Sequence, residues 1–159
     1  MRRTGGRSRA RGWALAATVA VVVLAADQIT KALVRSNLHL GERRDLVAFV
    51  DLLRTNNEGV AFGVLGGGGA LVTVVVAAAV GALLVYFALH ADKPLAWLPT
   101  GMLIGGSLGN IVDRAREGAV TDFLKVPHWP AFNVADMAIT FGVVLLVYVL
   151  EGAPRRAGR

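Results

Sequence analysis

The sequence predicts an all-α integral membrane protein built from four transmembrane helices. Of its 159 residues, 55% are hydrophobic and only 18% are charged, against roughly 25% charged in an average soluble domain. The charges collect at the two ends and in a few short stretches, leaving long segments almost free of them. Four of those segments approach the roughly 20 residues that a helix needs to cross a bilayer.

The first span is expected at 13–34. It runs through the apolar stretch from Trp13 to Ala26 and on through Asp27-Gln28-Ile29-Thr30-Lys31. Its basic start and Leu24-Ala25-Ala26 resemble a secretory signal. Retention is expected all the same, because cleavage there would leave three spans with the termini on opposite sides. The second span is expected at 70–89. The third, at 95–112, contains no formal charge, and the fourth, at 132–150, is interrupted only by Asp136. Inside lipid the backbone must satisfy its own hydrogen bonds, so each segment is read as a helix. Length allows one domain, residues 1–159.

Orientation follows from the arginines. Arg2, Arg3, Arg7, Arg9 and Arg11 precede the first span, and Arg155, Arg156 and Arg159 follow the last. Basic flanks mark the cytoplasmic side, so both termini are expected there. These flanks account for much of the formal net charge of +6. No basic stripe with interleaved aromatics points to nucleic acid. Residues 90–94 then form a tight inner turn, and two connections face outward, at about 36–69 and 113–131. The first is long enough to suggest a functional loop. Its run from Leu46 to Val50 and the following Leu52-Leu53 read as short strands, and the glycines at 66–69 as a break before the second helix.

The scarce residues restrict the chemistry. Cysteine is absent, which removes disulfides, thiolate metal sites and cysteine nucleophiles together. His128 has no second histidine at metal-ligand spacing, and Ser107 lies in a glycine-rich helix without a lysine partner nearby. A hydrolase built on this chain has to use carboxylates. Polar residues in or beside a span cost about 2.5–3.5 kcal/mol for an aspartate at the helix centre, so their positions are informative. Asp27 and Lys31, four apart, share one face of the first helix, either as a structural ion pair or as part of a site.

Gly101, Gly105 and Gly109 recur at the spacing that lets membrane helices approach closely. Gly106, Asn110 and Arg114 form a second row with Asp113 beside it. That row serves either a helix-end network or the holding of a carbonyl or lipid head group. Asp122 lies in the apolar stretch Val120-Thr121-Asp122-Phe123-Leu124, and Asp136 about one turn into the fourth helix. Pro127 and Pro130 favour a turn between them. Two carboxylates brought close share a proton, and one can then activate water while the other protonates a carbonyl. Capping, or pairing with Arg114 or Lys125, is the structural alternative for each acid.

Five short motifs occur in order from about Gly12 to Leu150. They are Asp27-Gln28-Ile29-Thr30-Lys31, Asn57-Glu58-Gly59-Val60-Ala61-Phe62, Gly109-Asn110-Ile111-Val112-Asp113-Arg114, Val120-Thr121-Asp122-Phe123 and Phe132-Asn133-Val134-Ala135-Asp136. Their succession resembles the lipoprotein signal peptidase (signal peptidase II) family. The resemblance implies an aspartic endopeptidase of the bacterial cytoplasmic membrane. Such an enzyme removes the signal peptide of prolipoproteins just before a diacylglyceryl-modified cysteine, with its active site at the outer face. It implies Asp122 and Asp136 as the catalytic dyad, Asn57, Asn110, Arg114 and Asn133 as substrate-site residues, and Asp27 and Lys31 as their support, with Asp113 beside them.

The same likeness implies a small extracytoplasmic β-cradle and a short surface helix in the first outer loop. It calls for no metal or organic cofactor, and for lipidated prolipoproteins and membrane lipids as the partners of a monomer. Two positions depart from the family pattern: Met137 stands where a small hydroxyl residue is frequent, and Glu58 puts a charge beside Asn57. Two other classes compete, a four-helix transporter and a non-enzymatic scaffold. A transporter needs polar residues deep in the bundle, whereas these lie toward one interface. Only the glycine faces speak for a scaffold.

Overall fold

Helix α1, Thr4–Asn37, runs unbroken for 34 residues, about 51 Å at 1.5 Å per residue. It contains no proline, and its buried positions, Gly12, Ala16, Ala20, Asp27, Lys31 and Val34, recur at intervals of three, four or seven residues along one face, the stripe of a packed helix. The opposite face carries exposed Val21, Val22, Ile29 and Leu33. The inward face is thus small or charged and the outward face apolar, the reverse of a helix in water. The structure, a computed structural model, describes residues 4–58 and 95–151 together with the helical residues Ala78, Gly81, Ala82, Val85 and Tyr86. Beyond those five, the span expected at 70–89 lies outside the described residues, as do the inner turn at 90–94, the glycine run at 66–69 and the motif residues 59–62. Any surface helix after Glu58 lies there too.

Helix α2, Trp97–Glu117, follows Leu95 and Ala96, and its Pro99 falls in the first turn, where no helical donor is lost. It continues past the expected end at 112 and stops at Gly118, whose φ of +73° suits glycine and whose N–H donates to the Arg114 carbonyl. Helix α3, Val134–Glu151, begins two residues later than expected because Asn133 caps it. Packing of α2 against α1 and of α3 against α2 rests on the missing side chains. A Cβ at Gly101 would lie 2.6 Å from the Ala16 carbonyl oxygen, one at Gly105 2.6 Å from that of Ala20, and one at Gly106 2.6 Å from that of Ala135. The first row of glycines therefore faces α1, and Gly106 of the second row faces α3. Among the described residues, Arg9–Asn37 is long and apolar enough to cross a membrane, and Val134–Val149 is a shorter apolar helix.

Three antiparallel strands in the order β1-β2-β3 sit at one end of the helices: β1 Arg43–Val47, β2 Val50–Asn57 and β3 Val120–Lys125. Strands are present in the first loop as expected but displaced: the run from Leu46 to Val50 is divided by the turn at Ala48 and Phe49, and β2 extends beyond Leu53 to Asn57. Strand β3 was not anticipated, since the sequence around Asp122 reads as apolar loop. It pairs with β2 in the register Thr55↔Asp122, Asn56↔Thr121 and Asn57↔Val120. Arg54 joins the sheet to α1, its Nη1 donating to the carbonyls of Arg35 (3.1 Å) and Leu38 (2.8 Å), a cation on the negative end of the helix.

Candidate active site

The site is assembled on a buried ionic knot. The Lys31 ammonium, with no solvent exposure, contacts Asp27 Oδ2 at 2.8 Å and Asp113 Oδ2 at 3.0 Å, and donates to Asn110 Oδ1 at 3.0 Å. A buried charge is tolerated only when it is paired and hydrogen-bonded, and here each acid has further partners. Asp27 Oδ1 accepts the backbone N–H of Ala135 at 2.9 Å, so α1 supplies a cap to α3. Asp113 Oδ2 accepts the backbone N–H of Thr121 at 3.0 Å. Gln28 Nε2 reaches Asp113 Oδ1 at 3.0 Å and the Gly109 carbonyl at 3.2 Å. Arg35 adds its guanidinium 3.8 Å from Asp113 and 3.1 Å from the Thr121 hydroxyl. Gly109 leaves the space that the Asp27 carboxylate fills. One ammonium thus ties α1 and α2 to the residues that immediately precede Asp122 and Asp136.

The two acids meet around Asn133. Strand β3 turns back through Pro127 and Pro130, and Leu124 bridges to Phe132 in antiparallel fashion, which sets Asn133 beside Asp122. Asn133 Nδ2 donates to Asp122 Oδ1 at 2.7 Å, and Asn57 Nδ2 donates to Asp122 Oδ2 at 3.0 Å. At the start of α3, Asn133 and Asp136 form a reciprocal cap: the Asp136 N–H donates to Asn133 Oδ1 at 2.9 Å, and the Asn133 N–H donates to Asp136 Oδ2 at 3.3 Å. Asp136 Oδ1 receives Asn110 Nδ2 at 2.9 Å. Asn110 can present its amide this way because its oxygen is taken by Lys31 and by Asn133 Nδ2 at 3.2 Å. Asp122 is buried and Asp136 partly open. Burial, and then the charge of Asp136, pushes the Asp122 carboxyl from 3.8 up to about 6, against the opposing hydrogen bonds of Asn57 and Asn133.

At the rim, Arg114 Nη1 lies 3.5 Å from the Asn110 carbonyl, and its buried Nε has no hydrogen-bond partner among the described residues. No carboxylate among the described residues forms an ion pair with it, and Asp113 turns instead toward Lys31 and Arg35. A groove of about 310 Å³ opens beside Asp136, lined otherwise by Trp129, Phe132, Met137, Thr140 and Phe141. Two carboxylates of unequal exposure, each held by amides, can share a proton and hydrolyse an amide without a covalent intermediate.

Residues 19–151 match the family model described as signal peptidase (SPase) II. The chain belongs to the signal peptidase II family. It is therefore a peptidase, and this family's curated members are similar to it over most of their length. The lipoprotein signal peptidase of Moorella thermoacetica is 42% identical over 134 residues, covering 83% of this chain and 89% of the relative. That of Brevibacillus brevis is 40% identical over 144 residues, covering 87% and 97%. Two solved bacterial membrane enzymes, determined by the in meso method at 1.9 and 2.3 Å resolution, share the fold. Their TM-scores are 0.76 and 0.75 at 29% and 26% identity, over 85% and 91% of this chain and 91% and 92% of theirs. The chain is accordingly a bacterial inner-membrane protein, mostly helical with a small sheet.

Of the residues singled out in this signal peptidase II, Asn57, Asn110, Asp122, Asn133 and Asp136 come together, and Asp27, Lys31 and Asp113 lie as a knot beneath them. Arg114 stays at the edge, linked among the described residues to Asn110. Asp136 caps α3 with one oxygen, as the capping alternative expected, and it also borders the groove. Sequence reasoning passed over Gln28, Arg35 and Thr121. Gln28 carried a signal, a second polar side chain beside Asp27 in an apolar helix. Thr121 carried none, because its contribution to Asp113 is a backbone N–H.

Proposed function

We propose that Asp122 and Asp136 are the catalytic pair with which this enzyme, a signal peptidase II that removes signal peptides from prolipoproteins, hydrolyses the scissile bond. The observation that supports this best is Asn133, whose side-chain amide holds Asp122 at 2.7 Å while its backbone N–H holds Asp136 at 3.3 Å. Asp136 takes a proton from water, which adds to the scissile carbonyl. The proton that Asp122 holds below about pH 6 passes to the carbonyl oxygen. The resulting gem-diol collapses as the leaving amine is protonated, and no covalent intermediate forms. Arg114, Asn57 and Asn110 orient the substrate carbonyls, with the guanidinium serving as a rigid fork of donors.

The cut falls just before a diacylglyceryl-modified cysteine. Four spans carry a monomeric domain, the sheet lies at the outer face, and both termini are cytoplasmic, as the terminal arginines require. Purified protein incubated with a diacylated proprotein tests the chemistry. Asp122→Asn and Asp136→Asn should each abolish cleavage while the protein stays folded, since members of one catalytic unit fail together. Either variant retaining more than about a tenth of wild-type turnover removes that aspartate from acid–base catalysis. Single cysteines at Ser8 and Glu117, probed in intact cells with an impermeant thiol reagent, test the orientation. Labelling at position 8 but not 117 would overturn it.

A further inference from the structure

Strand β3 carries Asp122, yet the ladder that holds it is irregular at that point. Leu52 faces Leu124 and Thr55 faces Asp122, so β2 advances three residues while β3 advances two. Such a bulge leaves a residue unpaired and re-aims the strand, so contacts from outside the sheet complete the placement of Asp122. They converge on Thr121, the residue before it, which is buried. Its N–H donates to Asp113 Oδ2 at 3.0 Å, its carbonyl accepts Asn133 Nδ2 at 3.5 Å, and its hydroxyl accepts Arg35 Nη1 at 3.1 Å. Arg35 lies in the last turn of α1, one turn beyond Lys31 on the same face. Its guanidinium is nearer to that hydroxyl than to Asp113, which it approaches to 3.8 Å.

Strand β2 holds the same residue from the other side. The Arg35 carbonyl accepts Arg54 Nη1 at 3.1 Å, and Arg54 directly precedes Thr55, the cross-strand partner of Asp122. Arg35 is thus bonded to β3 by its side chain and to β2 by its carbonyl, one residue before each member of the Thr55–Asp122 pair. Successive side chains of a strand take opposite faces, so drawing Thr121 toward α1 turns Asp122 toward Asn133 and Asn57. We infer that Arg35 is a positioning residue, whose bond to the Thr121 hydroxyl sets how far Asp122 projects toward Asp136. The inference rests on the reading that Asp122 belongs to the catalytic pair. Misplacing a reacting group by about 1 Å can cost about a hundredfold in rate. Two anchors on Thr121 remain when this one is removed, so a loss of about tenfold is expected.

Paired substitutions at the two ends of the bond test this in full-length enzyme, with a diacylated proprotein and at temperatures well below each variant's Tm. Thr121→Val removes the hydroxyl and keeps the branched shape, while Arg35→Met removes the guanidinium and keeps the stem. Each should lower kcat about tenfold and change KM less than about twofold, because the lost interaction acts on the reacting group rather than on substrate binding. Both break one bond, so the double variant should be no slower than the slower single, unlike independent sites, whose effects add. Arg35→Lys and Thr121→Ser restore a single donor and the acceptor, and each should stay within about threefold of wild type.

The inference is overturned if Thr121→Val leaves kcat unchanged, or if KM rises in step with the loss. It is also overturned if Arg35→Met slows the Thr121→Val enzyme as much as it slows wild type, since the guanidinium would then act through Asp113. Lysine and serine variants as slow as the methionine and valine ones overturn it as well, because packing and not the bond would be at work. Where Arg35→Met does not fold, the Thr121 pair decides: a slow valine variant with a fast serine variant supports the bond, and equal rates refute it. An Asp122→Asn enzyme that still cleaves refutes the catalytic reading itself. An inactive one beside an unaffected Thr121→Val enzyme refutes the positioning alone.

Discussion

Replacing Asp122 by asparagine should make the protein inactive and, at neutral pH, more stable. The folded environment raises the Asp122 carboxyl from 3.8 to about 6, so the native state binds the proton more tightly than the unfolded chain does. Stability contributed by this group is complete below about pH 3.8 and is lost as pH rises through about 6. The difference between those values, at roughly 1.4 kcal/mol per pH unit, amounts to about 3 kcal/mol. Asparagine removes the charge but offers one oxygen where the carboxylate used two, for Asn133 at 2.7 Å and Asn57 at 3.0 Å. One hydrogen bond is lost, at about 1 kcal/mol.

The variant should therefore exceed wild type by about 2 kcal/mol at pH 7 and fall about 1 kcal/mol below it near pH 3.5. Equilibrium unfolding in detergent at the two pH values, at constant salt, measures both differences. A difference of the same sign and size at both pH values would show that Asp122 is not held at the expense of the fold. The Asp122 contribution to catalysis would then have to be sought elsewhere.

Other expectations follow from the same contacts. Lys31→Met leaves Asp27 and Asp113 buried without their shared cation and should lower stability by about 3–5 kcal/mol; a loss under about 1 kcal/mol in the same unfolding assay would mean that the knot relaxes freely. Arg114→Lys should cut cleavage at least tenfold with thermal stability almost unchanged, because Arg114 pairs with no carboxylate among the described residues. Unchanged cleavage would defeat its substrate-holding role.

What could be read without coordinates was local. Hydropathy alone identified the segments that became α1, α2 and α3, since an apolar run of span length has few other solutions in lipid. The spacing of Gly101 and Gly105 announced close helix contact, and a four-residue interval put Asp27 and Lys31 on one face, because both depend only on helical geometry. The motifs that carry Asn57, Asn110, Asp122, Asn133 and Asp136 were visible as residues, but their mutual contacts were not.

The tertiary structure decided those contacts. Asn57 reaches Asp122 across 65 residues, and Asp27 reaches the Ala135 N–H across 108; no periodicity encodes such pairings. Nor did the pattern around Asp122 disclose β3, because Val120 through Phe123 are all buried and a strand covered on both faces loses the alternation that would reveal it. Which oxygen Asn110 turns toward Lys31, and hence which amide proton meets Asp136, depends on α1, α2 and α3 closing together. Span length and hydrophobicity are properties of each segment alone, whereas a shared proton between two carboxylates requires distances that only the packed chain sets.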